Sequence, residues 1–124
     1  NRGTALSGLG RKEEAIASYD KALEIKPDDD AAWYNRGYAL MKLGDYAMAL
    51  QSFDRSLEFL PDNAGAFYNK ACCFALWGRL EEALENLQWA IELNPECQEM
   101  AKTDTDFDGM RADQRFQALL ATGL

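Results

Sequence analysis

The chain has no histidine. That absence excludes more chemistry than any residue present adds, because Ser-His and Cys-His nucleophile pairs and histidine-based metal sites are all ruled out. Cysteine is sparse as well: there are three, an odd number, and Cys72 and Cys73 are adjacent. On a helix, adjacent side chains point ~100° apart. A disulfide framework is therefore not expected, which favours a reducing compartment and a cytoplasmic location. Basic residues are outnumbered, 13 Lys and Arg against 21 Asp and Glu, for a net charge of −8. A nucleic-acid binder or a polybasic membrane binder needs the opposite sign. Long apolar runs are missing too. The longest, ACCFALW at residues 71–77, falls far short of the ~20 residues that span a bilayer. No signal segment begins the chain. These features describe a soluble protein of 124 residues, about one domain, with acidity that serves solubility.

Proline is scarce and its placement is regular. The only three, Pro27, Pro61 and Pro95, are separated by 34 residues, and Gly10, Gly44 and Gly78 follow the same interval. The tripeptide NRG at residues 1–3 returns at Asn35-Arg36-Gly37 and, relaxed, at Asn69-Lys70-Ala71. Each copy carries two helical patterns around its central glycine, which can take the left-handed conformation of a sharp bend between a first helix, A, and a second, B. Proline closes helix B. Asp29 or Asp30, Asp62 or Asn63, and Asn94 stand where the next helix A needs a cap. Small residues recur where two helices must approach closely: Gly3, Gly37 and Ala71 on A, and Ala15, Ala49 and Ala83 on B. Large apolar residues fill between them, among them Trp33 and Phe67, Leu6, Leu40 and Phe74, and Tyr19, Phe53 and Leu87. Arg2, Arg36 and Lys70 fall on the side of helix A that meets a neighbouring helix. Their stems are expected on the core and their charges beside helix B acids.

A 34-residue helix-turn-helix unit with Trp33, Gly37, Ala49, Phe53 and Pro61 resembles the tetratricopeptide repeat, over residues 1 to about 97. The resemblance implies an all-α fold, a right-handed superhelical solenoid of three repeats (1–29, 30–63 and 64–97) with C-terminal capping helices in residues 98–124. Aligned to the second copy, the first lacks the cap and the start of helix A, so residues 1–9 are expected to be the least protected helix in hydrogen exchange. The resemblance further implies a protein-interaction scaffold, without catalysis or cofactor, whose concave wall is lined by the A helices. Carried over by position, that wall comprises Tyr34, Asn35, Tyr38, Met41 and Lys42 in the second copy, and Tyr68, Asn69, Cys72 and Leu76 in the third. The first copy adds Asn1, Thr4, Ser7 and Gly8. Amides that donate and accept, beside tyrosines with polar tips, suit an extended peptide.

Family members that clamp a terminal carboxylate need asparagine, lysine and arginine where Thr4, Gly65 and Asn69 stand here, so a neutral to mildly apolar segment is the expected partner. The alternative is self-association through the shortened first repeat or the tail. The carboxylates of helix B, such as Glu81, Glu82 and Glu85, belong to a solvated face rather than a cleft. Cys72 has no basic neighbour to activate it.

After Pro95 the repeat fails. The stretch DTDFDG, Asp104 to Gly109, imitates the first half of a calcium loop, but Arg115 occupies the place of the bidentate acid and Arg111 that of the apolar anchor, so no metal is expected. Solenoids need an end cap. Phe116, Leu119 and Leu120 at i, i+3, i+4, with Phe107 and Met110 beneath, supply one. Trp89, whose equivalents are the solvated Lys21 and Arg55, is expected to lie under this cap. The tail, AKTD-x-DFD-x-x-R-x-D-x-RF-x-x-LL, also resembles segments that follow such repeats in bacterial, notably cyanobacterial, proteins.

Overall fold

The computed structural model describes the backbone of residues 3–121 and the side chains of residues 12–121. The groove positions Asn1, Thr4, Ser7 and Gly8 and the exchange behaviour of residues 1–9 therefore concern side chains and ends outside the described residues. Among the described residues, seven α-helices run in order: α1 (Gly3–Ile25), α2 (Asp30–Lys42), α3 (Tyr46–Phe59), α4 (Ala64–Leu76), α5 (Leu80–Leu93), α6 (Glu96–Thr103) and α7 (Gln114–Ala121), with a 3₁₀ helix at Thr105–Met110. No strand occurs among the described residues. The helices form two compact units, Asn1–Pro61 and Asp62–Leu124.

Each helical hairpin follows from local chemistry. Asp29 and Asn63 accept hydrogen bonds from the amides of Ala32 and Ala66, so α2 and α4 begin on satisfied donors. Asp45 does the same for Met48 at the start of α3. Gly44 and Gly78 bend the chain between paired helices with φ of +87° and +80°, a region that a side chain would disfavour. Gly37 explains the small residue in the NRG motif. A Cβ there would stand 2.9 Å from the Phe53 ring and 3.1 Å from the Ala49 carbonyl, so α2 seats directly on α3. Ala49, Phe53, Ala71, Ala83 and Leu87 are all 0% exposed, which makes the repeat-defining residues the cores of the two units. Burying an aromatic such as Phe53 contributes roughly 1.5–3 kcal/mol by area.

Polar ties hold the seams of the first unit. The Arg36 guanidinium donates to Asp20 of α1 and to Ser52 of α3, both at 2.6 Å, in the manner expected of this motif position. Ser56 Oγ donates to the Asp30 carbonyl at 3.0 Å, and the Trp33 indole donates to the Pro27 carbonyl at 2.8 Å. Among the described residues, no buried side-chain polar atom lacks a partner.

The first copy departs from expectation. Gly10 makes no bend, because α1 runs unbroken from Gly3 to Ile25. Continuing the hydrogen-bond ladder through one glycine costs about 1 kcal/mol.

Candidate interaction site

The second unit closes over its own helix A. After α6 the chain turns at Asp104 into the 3₁₀ helix, which packs on α4, and α7 returns against α5 and α6. The Tyr68 hydroxyl donates to Asp104 Oδ2 at 2.6 Å, while Asp104 Oδ1 accepts the Asp106 amide at 2.9 Å. The Tyr68 ring meets Phe107 edge-on with centroids 5.6 Å apart, and Phe107 meets Phe116 at the same distance. Phe107, Met110 and Phe116 are buried, at 0%, 5% and 1% exposure, and Leu119 and Leu120 are half-buried. Gln98 ties α6 to α7 by donating to the Leu119 carbonyl at 3.0 Å.

Four of the expected wall positions prove to be buried. Tyr68, Asn69 and Cys72 do not line an open wall; they are buried, Tyr68 and Cys72 beside the tail at Asp104. Met41 is also interior, at 3% exposure. Leu76 remains exposed. Trp89 is corrected in the opposite sense. It is 52% exposed and lies not beneath the cap but against Phe67, rings stacked 6.1 Å apart, because the tail crosses the α4 face that holds Tyr68.

Burial gives these groups their chemistry. Burial first, then the bond to Asp104, pushes the Tyr68 phenol above its ordinary value, and burial with the neighbouring Asp104 does the same to the Cys72 thiol. Cys97 is raised by burial and by Glu96. All three cysteines are buried thiols without a disulfide, so none is poised as a nucleophile. Ligand atoms of Cys72, Asp104 and Asp106 lie within 4.8 Å of one another. A cation among them would compete with both Asp104 hydrogen bonds and would have to strip a thiol that burial holds protonated.

Two residues of the tail carry more than the sequence reading assigned. Asp104, taken there as part of a false calcium loop, is the tail's anchor on α4. Arg111 closes the end of α6, donating to the carbonyls of Ala101, Lys102 and Asp104 at 3.3, 2.9 and 2.5 Å. Its signal was a basic residue shortly after a helix C-terminus. Arg115 reaches outward to Glu81 at 2.8 Å and to Asp113, far from any ligand role.

In the first unit, part of the expected wall stays open. A cleft of about 400 Å³ between α1 and α2 is lined by Lys12, Ala15, Tyr19, Asn35, Tyr38, Ala39 and Lys42. Asn35 and Lys42 are exposed and Tyr38 is 46% exposed, with the Lys42 ammonium 5.2 Å from the centre of the Tyr38 ring. Tyr34 lies partly inward, its ring edge-on to Phe53 at 5.8 Å. The cleft thus has an apolar floor, one amide and two ammonium groups at its rim.

Hairpins of paired helices repeating every 34 residues, with small residues at each crossing, define a helical-repeat interaction protein. Sequence comparison makes the assignment specific. A profile described as TPR repeat matches residues 3–44, and one described as tetratricopeptide repeat matches residues 31–63 and 64–97. The chain belongs to the tetratricopeptide repeat family, whose members bind proteins or peptides, and it is a protein–protein interaction scaffold.

Among solved structures, the crystal structure of MamA superposes with a TM-score of 0.71 at 20% identity, covering 90% of this chain and 68% of that one. MamA from Desulfovibrio magneticus RS-1, residue 41 to the end, gives 0.67 at 26% identity, covering 94% and 68%. An RS-1 MamA ArsTM double mutant gives the same values. No curated protein matches the chain. No helix among the described residues is long and apolar enough to cross a membrane.

Proposed function

We propose that the chain is a non-enzymatic module that takes a neutral to mildly apolar peptide segment on the exposed A-helix face of its first unit, with Asn35, Tyr38 and Lys42 as the contacts. The observation that carries this reading is the cleft beside those residues, together with the burial of Tyr68 and Cys72 beside the tail. Tyr38 supplies a rigid aromatic face, and Asn35 can both donate to and accept from a peptide backbone. Lys42 stacks on Tyr38 and leaves the rim weakly basic, too little to clamp a carboxylate. Three buried thiols suit a reducing, cytoplasmic setting.

The test uses an array of short synthetic peptides, neutral, acidic and carboxylate-terminated, probed with the wild-type chain and an Asn35→Ala, Tyr38→Ala variant. Neutral sequences should be retained by the wild type and lost, by roughly tenfold or more in affinity, by the variant. Equal retention by both chains would remove these residues from the site.

A further inference from the structure

Each unit carries an aromatic cluster where its helix A lies on its helix B, and the two clusters differ in what lies across them. In the first unit, the Arg55 guanidinium lies over the Trp33 ring at 5.4 Å and the Phe59 ring at 5.6 Å, and it pairs with Glu58 at 2.9 Å. Shifted by 34 residues, Trp33 becomes Phe67, Phe59 becomes Leu93 and Glu58 becomes Glu92. The flanks correspond as well: Lys70 lies over Phe67 at 5.9 Å, as its counterpart Arg36 lies over Trp33 at 5.8 Å. The bridging guanidinium has no counterpart, because Trp89 stands in the register of Arg55.

The second cluster is therefore a stacked platform with acids beside it and no arginine across it. One face of the Trp89 indole rests on Phe67, the rings 24° from parallel, yet Trp89 stays 52% exposed and Leu93 40%. Glu85 and Glu92 are helical neighbours of Trp89 at i−4 and i+3, both exposed, and among the described residues neither makes an ion pair. α5 has no basic residue in its last turn, so Glu92 adds its charge to the negative end of the helix. From these observations we infer that the Phe67–Trp89–Leu93 face of the second unit docks a segment of a partner protein that presents an arginine beside an apolar side chain. The guanidinium stacks on the open face of the indole and meets Glu92, the arrangement that Arg55 makes with Trp33 and Glu58. The apolar neighbour covers Leu93. Lysine fits less well, because a strongly hydrated ammonium has no plane to lay on the indole. This surface shares no residue with the cleft at Asn35 and Tyr38.

Nuclear magnetic resonance of the nitrogen-labelled full chain tests it, with a synthetic peptide holding one arginine beside a leucine and versions with lysine or citrulline in its place. The arginine peptide should shift the Trp89 indole signal and the α5 amides saturably. Lysine should bind severalfold more weakly, and citrulline, which keeps the shape but not the charge, about tenfold more weakly or worse. Trp89→Arg supplies from within the cation that the platform lacks, as the first unit does, and should abolish the α5 shifts with helical circular dichroism unchanged. Glu92→Gln should weaken binding severalfold, and the Asn35→Ala, Tyr38→Ala variant should bind as the wild type does. No shift at millimolar peptide, equal binding of arginine and citrulline, undiminished binding by Trp89→Arg or Glu92→Gln, or loss in the Asn35→Ala, Tyr38→Ala variant overturns the inference. Sedimentation of the full chain should show no dimer that depends on this face; one that Trp89→Arg dissolves would give the surface to a second copy and overturn it too.

Discussion

Tyr68→Phe isolates one hydrogen bond between the repeat and its tail. The ring can stay against Phe107, so the change removes only the hydroxyl that donates to Asp104 at 2.6 Å. A hydrogen bond to a charged acceptor is worth about 1.5–3 kcal/mol, and Tyr68 at 4% exposure admits little water to replace it. We expect the unit Asp62–Leu124 to lose about 2 kcal/mol, a fall in Tm on the order of 10 °C for a unit of this size. Urea unfolding read by tryptophan fluorescence reports it, since Trp77 and Trp89 lie in that unit. Hydrogen exchange at Asp106 and Phe107 should accelerate in parallel.

The same substitution has a pH signature. The folded protein holds the Cys72 and Tyr68 protons above the ordinary values of 9.0 and 10.0, whereas the unfolded chain releases them there. Their stabilising contribution is therefore complete below about pH 9 and declines as pH rises beyond it. Tyr68→Phe should flatten that alkaline decline. A stability change under about 0.5 kcal/mol, with tail exchange unaltered, would refute the account of how the tail is held.

Three further outcomes follow from the geometry. Gly37→Ala forces a Cβ to 2.9 Å from Phe53 and should cost about 1–3 kcal/mol in chemical denaturation, whereas Gly78→Ala meets no atom within 4 Å and should cost only the ~1–2 kcal/mol of its positive φ. Arg111→Ala strips three backbone carbonyls of their donor, so exchange across residues 104–116 should quicken while α2 and α3 are unaffected. Trp89→Ala, at a half-exposed indole stacked on Phe67, should shift stability far less than Phe53→Ala, for which about 3–5 kcal/mol is expected.

The helices, their caps and their crossings were legible because each depends on neighbours a few residues away: Asp29 and Asn63 cap, Gly44 and Gly78 bend, and Gly37 admits Phe53. Gly10 misled because a glycine inside a helix costs only about 1 kcal/mol, so the motif alone does not dictate a bend. The exposure of the expected wall positions was half legible. Tyr38 and Lys42 keep the exposure their register implied, but Tyr68 and Cys72 are claimed by a tail 32 to 36 residues downstream. No periodic signal marks so distant a pairing. Trp89 shows the converse limit, since an indole on a solvated face found cover within its own hairpin.

The tail docked on α4 through Asp104, Phe107 and Tyr68 gives the molecule a polarity. Lengthening the array by grafting another hairpin after α7 would leave the newcomer no vacant ledge, because the ledge is already spoken for. Extra hairpins spliced ahead of Asp62 would leave α4, α5 and the tail joined as they are, so lengthening from within keeps the Tyr68–Asp104 tie.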